Sequence, residues 1–211
     1  MDAAQNPGGR LNRLAATLAI AAVAGLAFAW PRLAGALIYE RADILAGQVW
    51  RLWTGHLVHY TASHLVWDLA VFLAAGLWLE WIRPPLARWF YLLAPPAISA
   101  ALWWGEPALA RYAGLSGLAT GVLVLLALVQ RRRDAGAPPW FWPAVLLLVA
   151  VKVVAEATAQ TPLFARMDAG VRVVPLAHLG GIVCALIAFL AAQWQEGRRA
   201  RQAQARANGA G

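Results

Sequence analysis

The residue of this chain best suited to chemistry is a serine between two glycines. Ser116 lies two residues after Gly114 and directly before Gly117, at the start of an apolar run that reaches Gln130. A serine hydroxyl becomes a good nucleophile when a neighbouring base takes its proton, and neutral imidazole does this near neutral pH. The same imidazole can then protonate a leaving amine, which is the chemistry of peptide-bond hydrolysis. A Gly-x-Ser-Gly patch also suits helix packing in membranes, so the motif alone leaves both interpretations open.

The composition indicates an integral membrane protein. Hydrophobic residues make up 61% of the 211 residues, charged residues make up 13%, and the mean hydropathy is +0.57. A soluble domain of this length is far less apolar. The formal charge of +8 comes from arginines between apolar runs, which argues against a nucleic-acid interface and favours membrane anchoring. The single cysteine, Cys184, excludes an internal disulfide.

We predict an all-α membrane protein with six transmembrane helices. The first apolar run follows basic residues as in a signal peptide, but no clean cleavage site follows it, so we expect it to be retained. A cytoplasmic N-terminal segment (1–13) would precede a membrane domain (14–195) and a polar basic tail (196–211). The predicted spans are 14–30, 63–82, 88–104, 115–130, 140–159 and 176–195, with a long linker at 31–55.

Loop charges orient the predicted bundle. Eleven arginines lie in the N-terminal segment, in alternate loops and in the tail, and the opposite loops hold six. The positive-inside rule therefore places both termini in the cytoplasm. We expect the protein in the inner membrane of a bacterium, with its active site open to the periplasmic side. In the linker, Trp50 and Trp53 are typical of an aromatic belt and Arg51 of a head-group anchor. The six arginines of the opposite loops are Arg32, Arg41, Arg51, Arg111, Arg166 and Arg172.

The serine and two histidines are predicted to lie at one depth. A helix from Ser116 to Gln130 is about 22 Å long, shorter than a hydrocarbon core of about 30 Å. His64 lies 17 residues before Trp81, and His178 lies 16 residues before Trp194. These spacings correspond to about 26 Å and about 24 Å of helix. Polar side chains in a membrane usually face the bundle interior, so these three are expected to be neighbours in a water-filled cavity.

Two further features bear on the chemistry. Lys152 is the one basic residue within a span, and Glu156 lies one turn later on the same face, so the pair can offset the cost of burying either charge. No carboxylate is adjacent to His178 in the sequence, and a Ser–His dyad is therefore the simplest prediction. The backbone N–H of Ser116 and the imidazole of His64 are the expected donors to the oxyanion.

Four spaced motifs follow the order of the predicted spans. They are Trp50-Arg51 in the linker, His59-x4-His64-x3-Asp68 at the second span, Gly114-x-Ser116-Gly117 at the fourth, and Ala177-His178-x2-Gly181-x3-Ala185 in the sixth. Together these motifs resemble those of the rhomboid family of intramembrane serine proteases. The similarity covers about residues 48–192, and the three motifs at spans occur in the right order on the expected helices.

The resemblance implies a six-helix rhomboid-like bundle with Ser116 as the nucleophile and His178 as the base. It implies a transmembrane protein as the substrate, the lipid bilayer as the surroundings, and neither cofactor nor metal. The resemblance also implies supporting roles for the other matched residues. His64 and Asp68 would assist the oxyanion, with Gly114 and Gly117 beside them, and His59 would hold the outer cavity. Trp50 and Arg51 would lie in an interfacial loop, and Gly181 and Ala185 would let the sixth helix pack on the fourth.

This chain departs from the family pattern at two positions. Most rhomboids have asparagine where this chain has Asp68, and a carboxyl group donates a hydrogen bond only when it is protonated. Asp68 could stay neutral through burial, or it could accept a hydrogen bond from His64 and set the tautomer of that ring; we favour the second role. Thr120 stands where an aromatic residue often packs against the catalytic histidine.

The compact chain and the sequence Trp50-Arg-Leu-Trp-Thr-Gly-His-Leu-Val-His look most like the rhombosortase branch of the family. That resemblance implies cleavage of exported proteins near a C-terminal Gly-Gly motif that precedes a transmembrane helix and a basic tail. Glycines would help because a helical substrate must unwind before Ser116 can reach its backbone.

Three other classes of function stay open. A rhomboid-like pseudoprotease would bind transmembrane helices without cleaving them. A haem or metal protein could use His59, His64 and His178, although two histidines five residues apart on one helix diverge by about 140°. Transport is the least favoured class, because the polar residues gather near one face of the membrane. The oligomeric state is left open.

Overall fold

The computed structural model describes residues 7–133, 136–159, 163 and 173–209. Most of these residues belong to six long helices and to short elements between the first two of them. In chain order the elements are α1 (Pro7–Ala29), α2 (Pro31–Leu37), β1 (Tyr39–Glu40), α3 (Arg41–Leu45), α4 (Arg51–Thr54), a 3₁₀ turn (Gly55–Leu57), α5 (Ala62–Ile82), α6 (Pro84–Gly105), β2 (Arg111–Tyr112), α7 (Ser116–Arg133), α8 (Phe141–Ala159) and α9 (Pro175–Gly209).

Four of the helices are long and apolar enough to cross a membrane. They are α1, α5, α8 and α9. Their outer sides expose large apolar side chains, such as Leu148 on α8 at 68% and Leu190 on α9 at 64%. Exposed apolar surface on this scale is unfavourable in water and favourable against lipid. The predicted helical membrane protein is therefore confirmed, whereas the count of six spans stays a prediction.

Helix α7 lies at the centre of the bundle. It packs against α5, α6, α8 and α9, and twelve of its eighteen residues are buried. Its apolar part ends at Gln130, and Arg131, Arg132 and Arg133 form its last turn. A helix surrounded by other helices does not need a lipid-facing surface, which explains why this one can be short.

Helices α7 and α9 approach each other through small residues. A Cβ atom at Gly117 would lie 2.8 Å from the carbonyl oxygen of Ala177, and one at Gly121 would lie 2.7 Å from that of Gly181. Such distances leave no room for a side chain, so the two backbones are in direct contact. Ala185, which lies one turn after Gly181 on α9, is fully buried. The expected close packing at Gly181 is thus present, and Gly121 is its partner on α7.

The linker before α5 is folded onto itself around Arg51. This side chain is buried, pairs with Asp43 at 2.9 Å, and donates hydrogen bonds to the carbonyl oxygens of Gly35 at 3.0 Å and Ile38 at 2.6 Å. The interpretation of Arg51 as a head-group anchor is therefore wrong. The guanidinium has five N–H donors, and here its partners are two backbone carbonyls, the carboxylate of Asp43 and the side-chain oxygen of Gln48, all within the loop. Trp50 beside it remains half exposed.

A short antiparallel ladder ties the linker to the segment that precedes α7. Strands β1 and β2 pair Tyr39 with Tyr112 and Glu40 with Arg111. The prediction of an all-α protein missed this ladder, because two residues are too few to show an alternating pattern. Its consequence is that the chain just before Ser116 is held by backbone pairing.

The arginines that were assigned to the cytoplasmic face gather at one end of the bundle. Arg83 forms an ion pair with Glu196, and Arg132 donates to the side chain of Gln193 at 2.6 Å. Arg88 donates to the backbone oxygen of Asn12. Helix α9 continues to Gly209 without a break, so the basic tail extends this helix. Two of the six arginines in the opposite loops, Arg166 and Arg172, lie outside the described residues. Met1 to Asn6 of the N-terminal segment lie outside them as well.

Candidate active site

One cavity of about 440 Å³ contains the candidate residues. Ser116 from α7, His64 from α5 and His178 from α9 all line it. The structure therefore brings together the three side chains that were expected to be neighbours from their common depth. Most of the remaining lining is apolar, as the cavity opens between helices that lie in lipid.

Ser116 is held by the turn that precedes α7. Gly114 has a φ of +135°, and a Cβ there would lie 2.8 Å from Cε1 of His64. Only glycine fits this position without strain. The hydroxyl of Tyr112 donates to the carbonyl oxygen of Gly114 at 3.0 Å. As the first residue of a helix, Ser116 also has a backbone N–H that no intrahelical carbonyl accepts, which is the geometry of an anion-binding donor.

Tyr112 keeps its proton and so acts as a donor. Burial raises the pKa of its hydroxyl, the nearby charge of Asp68 adds to this, and a hydrogen bond with the Ser116 side chain opposes it. The ring is in edge contact with Tyr39, which belongs to the paired strand. Ser116 is thus supported from the linker side by an aromatic residue that the sequence motifs did not indicate.

His178 is buried in the first turn of α9 and faces a carboxylate. Its Nδ1 lies 3.2 Å from Oε2 of Glu156, within ion-pair distance but off the line of a well-aligned hydrogen bond. A carboxylate on Nδ1 leaves the other ring nitrogen, Nε2, for a proton from the serine. No carboxylate adjoins His178 in the sequence, and the structure supplies one from α8.

Glu156 itself is almost fully buried, with 2% of its surface exposed. Oε2 accepts a hydrogen bond from Nζ of Lys152 at 2.6 Å, which confirms the predicted pair. Oε1 accepts the backbone N–H of Leu163 at 3.2 Å. A buried carboxylate is strongly disfavoured unless its oxygens are satisfied, and here both have partners.

On the opposite side of the cavity, Asp68 lies between two imidazole rings. Its Oδ2 is 3.2 Å from Nε2 of His59 and 3.2 Å from Nε2 of His64. The backbone N–H of Leu115 points at Nε2 of His59 with a distance of 3.3 Å. Nε2 of His59 also lies within hydrogen-bond distance of Asp68, but one ring nitrogen cannot accept from Leu115 and donate to Asp68 at once. Nε2 of His64 can donate to Asp68 in either case. This geometry fits the favoured role of Asp68 as an acceptor.

His59 and His64 are closer than their sequence spacing suggested. Their ring centroids lie 5.0 Å apart, and with Asp68 they form a group of possible metal ligands whose donor atoms are all within 4.8 Å. The predicted divergence of the two rings is wrong, because His59 precedes the helix, whose cap is Thr61. His178 does not belong to this group. The lone pair of His59 Nε2 is already used by Leu115, so these residues fit a hydrogen-bonded cluster better than a metal site.

The comparison with protein families agrees with this geometry. The model of the Rhomboid domain matches residues 46–194, which is more than half of the chain. The chain belongs to the rhomboid family. Members of this family are generally intramembrane serine proteases. No curated protein matches this rhomboid closely enough to identify a relative.

One contact in this rhomboid's site could not be found from its motifs. The contact between His178 and Glu156 joins two helices, and no local pattern signals it. The motifs also gave no sign of the buried His56, whose Nε2 lies 3.0 Å from both the carbonyl oxygen of Pro95 and Oγ of Ser99. Burial lowers the pKa of His56 to about 4, which the bond to Pro95 partly offsets, so the ring is neutral at physiological pH. It joins the linker to α6 and does not line the cavity.

Proposed function

We propose that this rhomboid is an intramembrane serine endopeptidase in which Ser116 attacks the peptide carbonyl and His178 accepts its proton. The observation that supports this most directly is that the two side chains line one cavity at the point where α7 and α9 touch through Gly117 and Ala177. Backbone contact there fixes the distance between the helix that carries the nucleophile and the helix that carries the base.

The reaction would proceed in two halves. In the first, Ser116 Oγ bonds to the carbonyl carbon while Nε2 of His178 takes its proton, and the imidazolium then protonates the leaving amine. In the second, water takes the place of the serine and the acyl group is released. A cavity of about 440 Å³ has room for water beside the substrate. The backbone N–H of Ser116 would stabilise the oxyanion.

His64 and Asp68 would act on the oxyanion side. By accepting a hydrogen bond from Nε2 of His64, Asp68 would fix the orientation of that ring beside the oxyanion, with His59 and the turn at Gly114 holding both in place.

We further propose six membrane-spanning helices, with both termini in the cytoplasm of a bacterium and the cavity open to the periplasm. Ser116 begins α7 and the arginine cluster ends it, so the cavity and the basic end of the bundle lie at opposite ends of this helix. The positive-inside rule supports a cytoplasmic position for the basic end. Helices α6 and α7 would be the two spans added to the four apolar ones.

The proposed substrate is an exported protein with a C-terminal Gly-Gly motif, a transmembrane helix and a basic tail, as the likeness to rhombosortases implies. Glycine makes the helix easier to unwind near the scissile bond. The apolar lining of the cavity would suit the flanking residues of such a segment.

The test is co-expression of this rhomboid with a reporter that carries such a tail. We expect cleavage by the wild type and none by Ser116→Ala or His178→Ala, while Gly197→Ala, at a position with open space around it, should cleave normally. Equal processing by the wild type and Ser116→Ala would refute the proposal. An uncut reporter that co-purifies with the wild type would instead favour the pseudoprotease alternative.

A further inference from the structure

We propose that Glu156 is a positioning residue which, with Ser116 and His178, makes this site a triad, and that Lys152 fixes the carboxylate in place. This inference rests on the proposed peptidase function and extends it. The carboxylate comes from α8, the base from α9 and the nucleophile from α7.

The carboxylate has a defined orientation. Its Oε2 lies 3.2 Å from Nδ1 of His178 and 2.6 Å from Nζ of Lys152, and its Oε1 accepts the backbone N–H of Leu163 at 3.2 Å. A side chain held at both oxygens cannot turn away from the imidazole without losing one of these contacts. An ion pair that served only to bury a lysine would not need His178 as a third partner.

The contact determines what His178 can do. With Nδ1 facing a carboxylate, the neutral ring keeps its proton on Nδ1, and the lone pair of Nε2 is free for the proton of Ser116. When that proton arrives, the ring becomes an imidazolium beside the anion of Glu156. Glu156 stabilises this charge and takes no proton itself, and the proton on Nε2 passes to the leaving amine.

Two details of the geometry suit a resting enzyme. The Nδ1 of His178 is at the right distance from Glu156 but is not fully aligned with it, and catalytic hydrogen bonds commonly tighten only when substrate is bound. Lys152 is the more accessible partner, with 27% of its side chain exposed against 3% for Glu156. Both residues line the cavity.

A purely structural role for the Lys152–Glu156 pair predicts different mutant behaviour. Glu156→Gln leaves Lys152 without its anion, and a lone charge at a largely buried site is destabilising. The double variant Lys152→Met with Glu156→Gln removes both charges and avoids that cost. If Glu156 acts only by neutralising Lys152, the double variant should regain wild-type activity. If Glu156 positions His178, the double variant should stay impaired.

The experiment measures kcat and KM of the full-length chain in detergent micelles, with a fluorogenic transmembrane peptide that carries a Gly-Gly motif, an apolar helix and a basic tail. For Glu156→Gln and for the double variant we expect kcat to fall by about 10- to 100-fold at unchanged KM, the loss of one charge-assisted hydrogen bond. Lys152→Met alone should retain more activity than either, since it keeps the carboxylate beside His178.

Thermal unfolding of each variant shows that it is folded, and the rate at which a fluorophosphonate probe labels Ser116 should fall in parallel with kcat. Wild-type kcat in the double variant would overturn the inference while leaving the peptidase proposal intact. Absence of any cleavage that depends on Ser116 in the wild type would remove the peptidase proposal and this inference with it.

Discussion

A single methyl group at the contact between α7 and α9 should separate Ser116 from His178. In Gly181→Ala the new Cβ would lie 3.0 Å from the carbonyl carbon of Gly117 and 3.2 Å from the backbone nitrogen of Gly121, and closer still to the carbonyl oxygen of Gly117. These neighbours are all backbone atoms, so no flexible side chain can move aside. Relief requires the two helices to move apart.

The size of this movement determines the expected loss. To bring the methyl group to an ordinary contact distance, α9 must retreat from α7 by about 1 Å. His178 lies on α9, three residues before the substitution, and a displacement of about 1 Å in a catalytic geometry costs about 100-fold in rate. We also expect a loss of about 1–3 kcal/mol in stability, which is typical of overpacking.

The matched control is the neighbouring glycine. In Gly180→Ala the new Cβ would meet its nearest neighbour, Cγ1 of Ile98, at 3.4 Å, an ordinary contact. Both variants add one methyl group to adjacent positions of the same helix. The assay compares kcat/KM for the transmembrane peptide, with thermal unfolding in the same detergent. A folded Gly181→Ala protein with the activity of Gly180→Ala would refute the claim that this contact sets the distance between Ser116 and His178.

Three further predictions concern the surroundings of the site. Asp68→Asn should lower kcat by about tenfold, because a carboxylate that accepts from His64 is lost; unchanged or higher activity would show that no carboxylate is needed. Gly114→Ala should lose a larger share of its activity than of its stability, because the new methyl group would press on the ring of His64. A variant that keeps both the activity and the melting temperature of the wild type would contradict the description of that turn. Because the pKa of His56 falls from 6.5 in the unfolded chain to about 4 in the folded one, its contribution to stability is present above pH 6.5 and lost as the pH falls towards 4. The loss amounts to about 3 kcal/mol, and the melting temperature of His56→Gln should therefore depend less on pH over this range than that of the wild type.

Much of the bundle follows from the sequence because helix geometry is regular. Apolar runs of membrane-spanning length predicted α1, α5, α8 and α9, and the end of α8 at Ala159 agrees with the predicted boundary. The fixed rise per residue placed Ser116, His64 and His178 at one depth, and they line one cavity. The sequence could therefore indicate which residues to consider together.

Features that depend on how separate segments meet could not be predicted in this way. Glu156 reaches His178 only because α8 and α9 pack in one particular register, and the two residues are 22 positions apart. Arg51 resembled a surface anchor, but the linker folds around it and its own carbonyl groups replace water and lipid as acceptors. His59 diverges from His64 only if both lie on one helix, and the cap at Thr61 shows that they do not.

The most direct test of the central claim is labelling of the purified protein with a fluorophosphonate probe, followed by identification of the modified residue by mass spectrometry. The proposed function predicts that the wild type is labelled at Ser116, that Ser116→Ala is not labelled, and that His178→Ala is labelled much more slowly because the base is missing. Labelling that is equal in the wild type and in both variants, or that occurs at another residue, would contradict it.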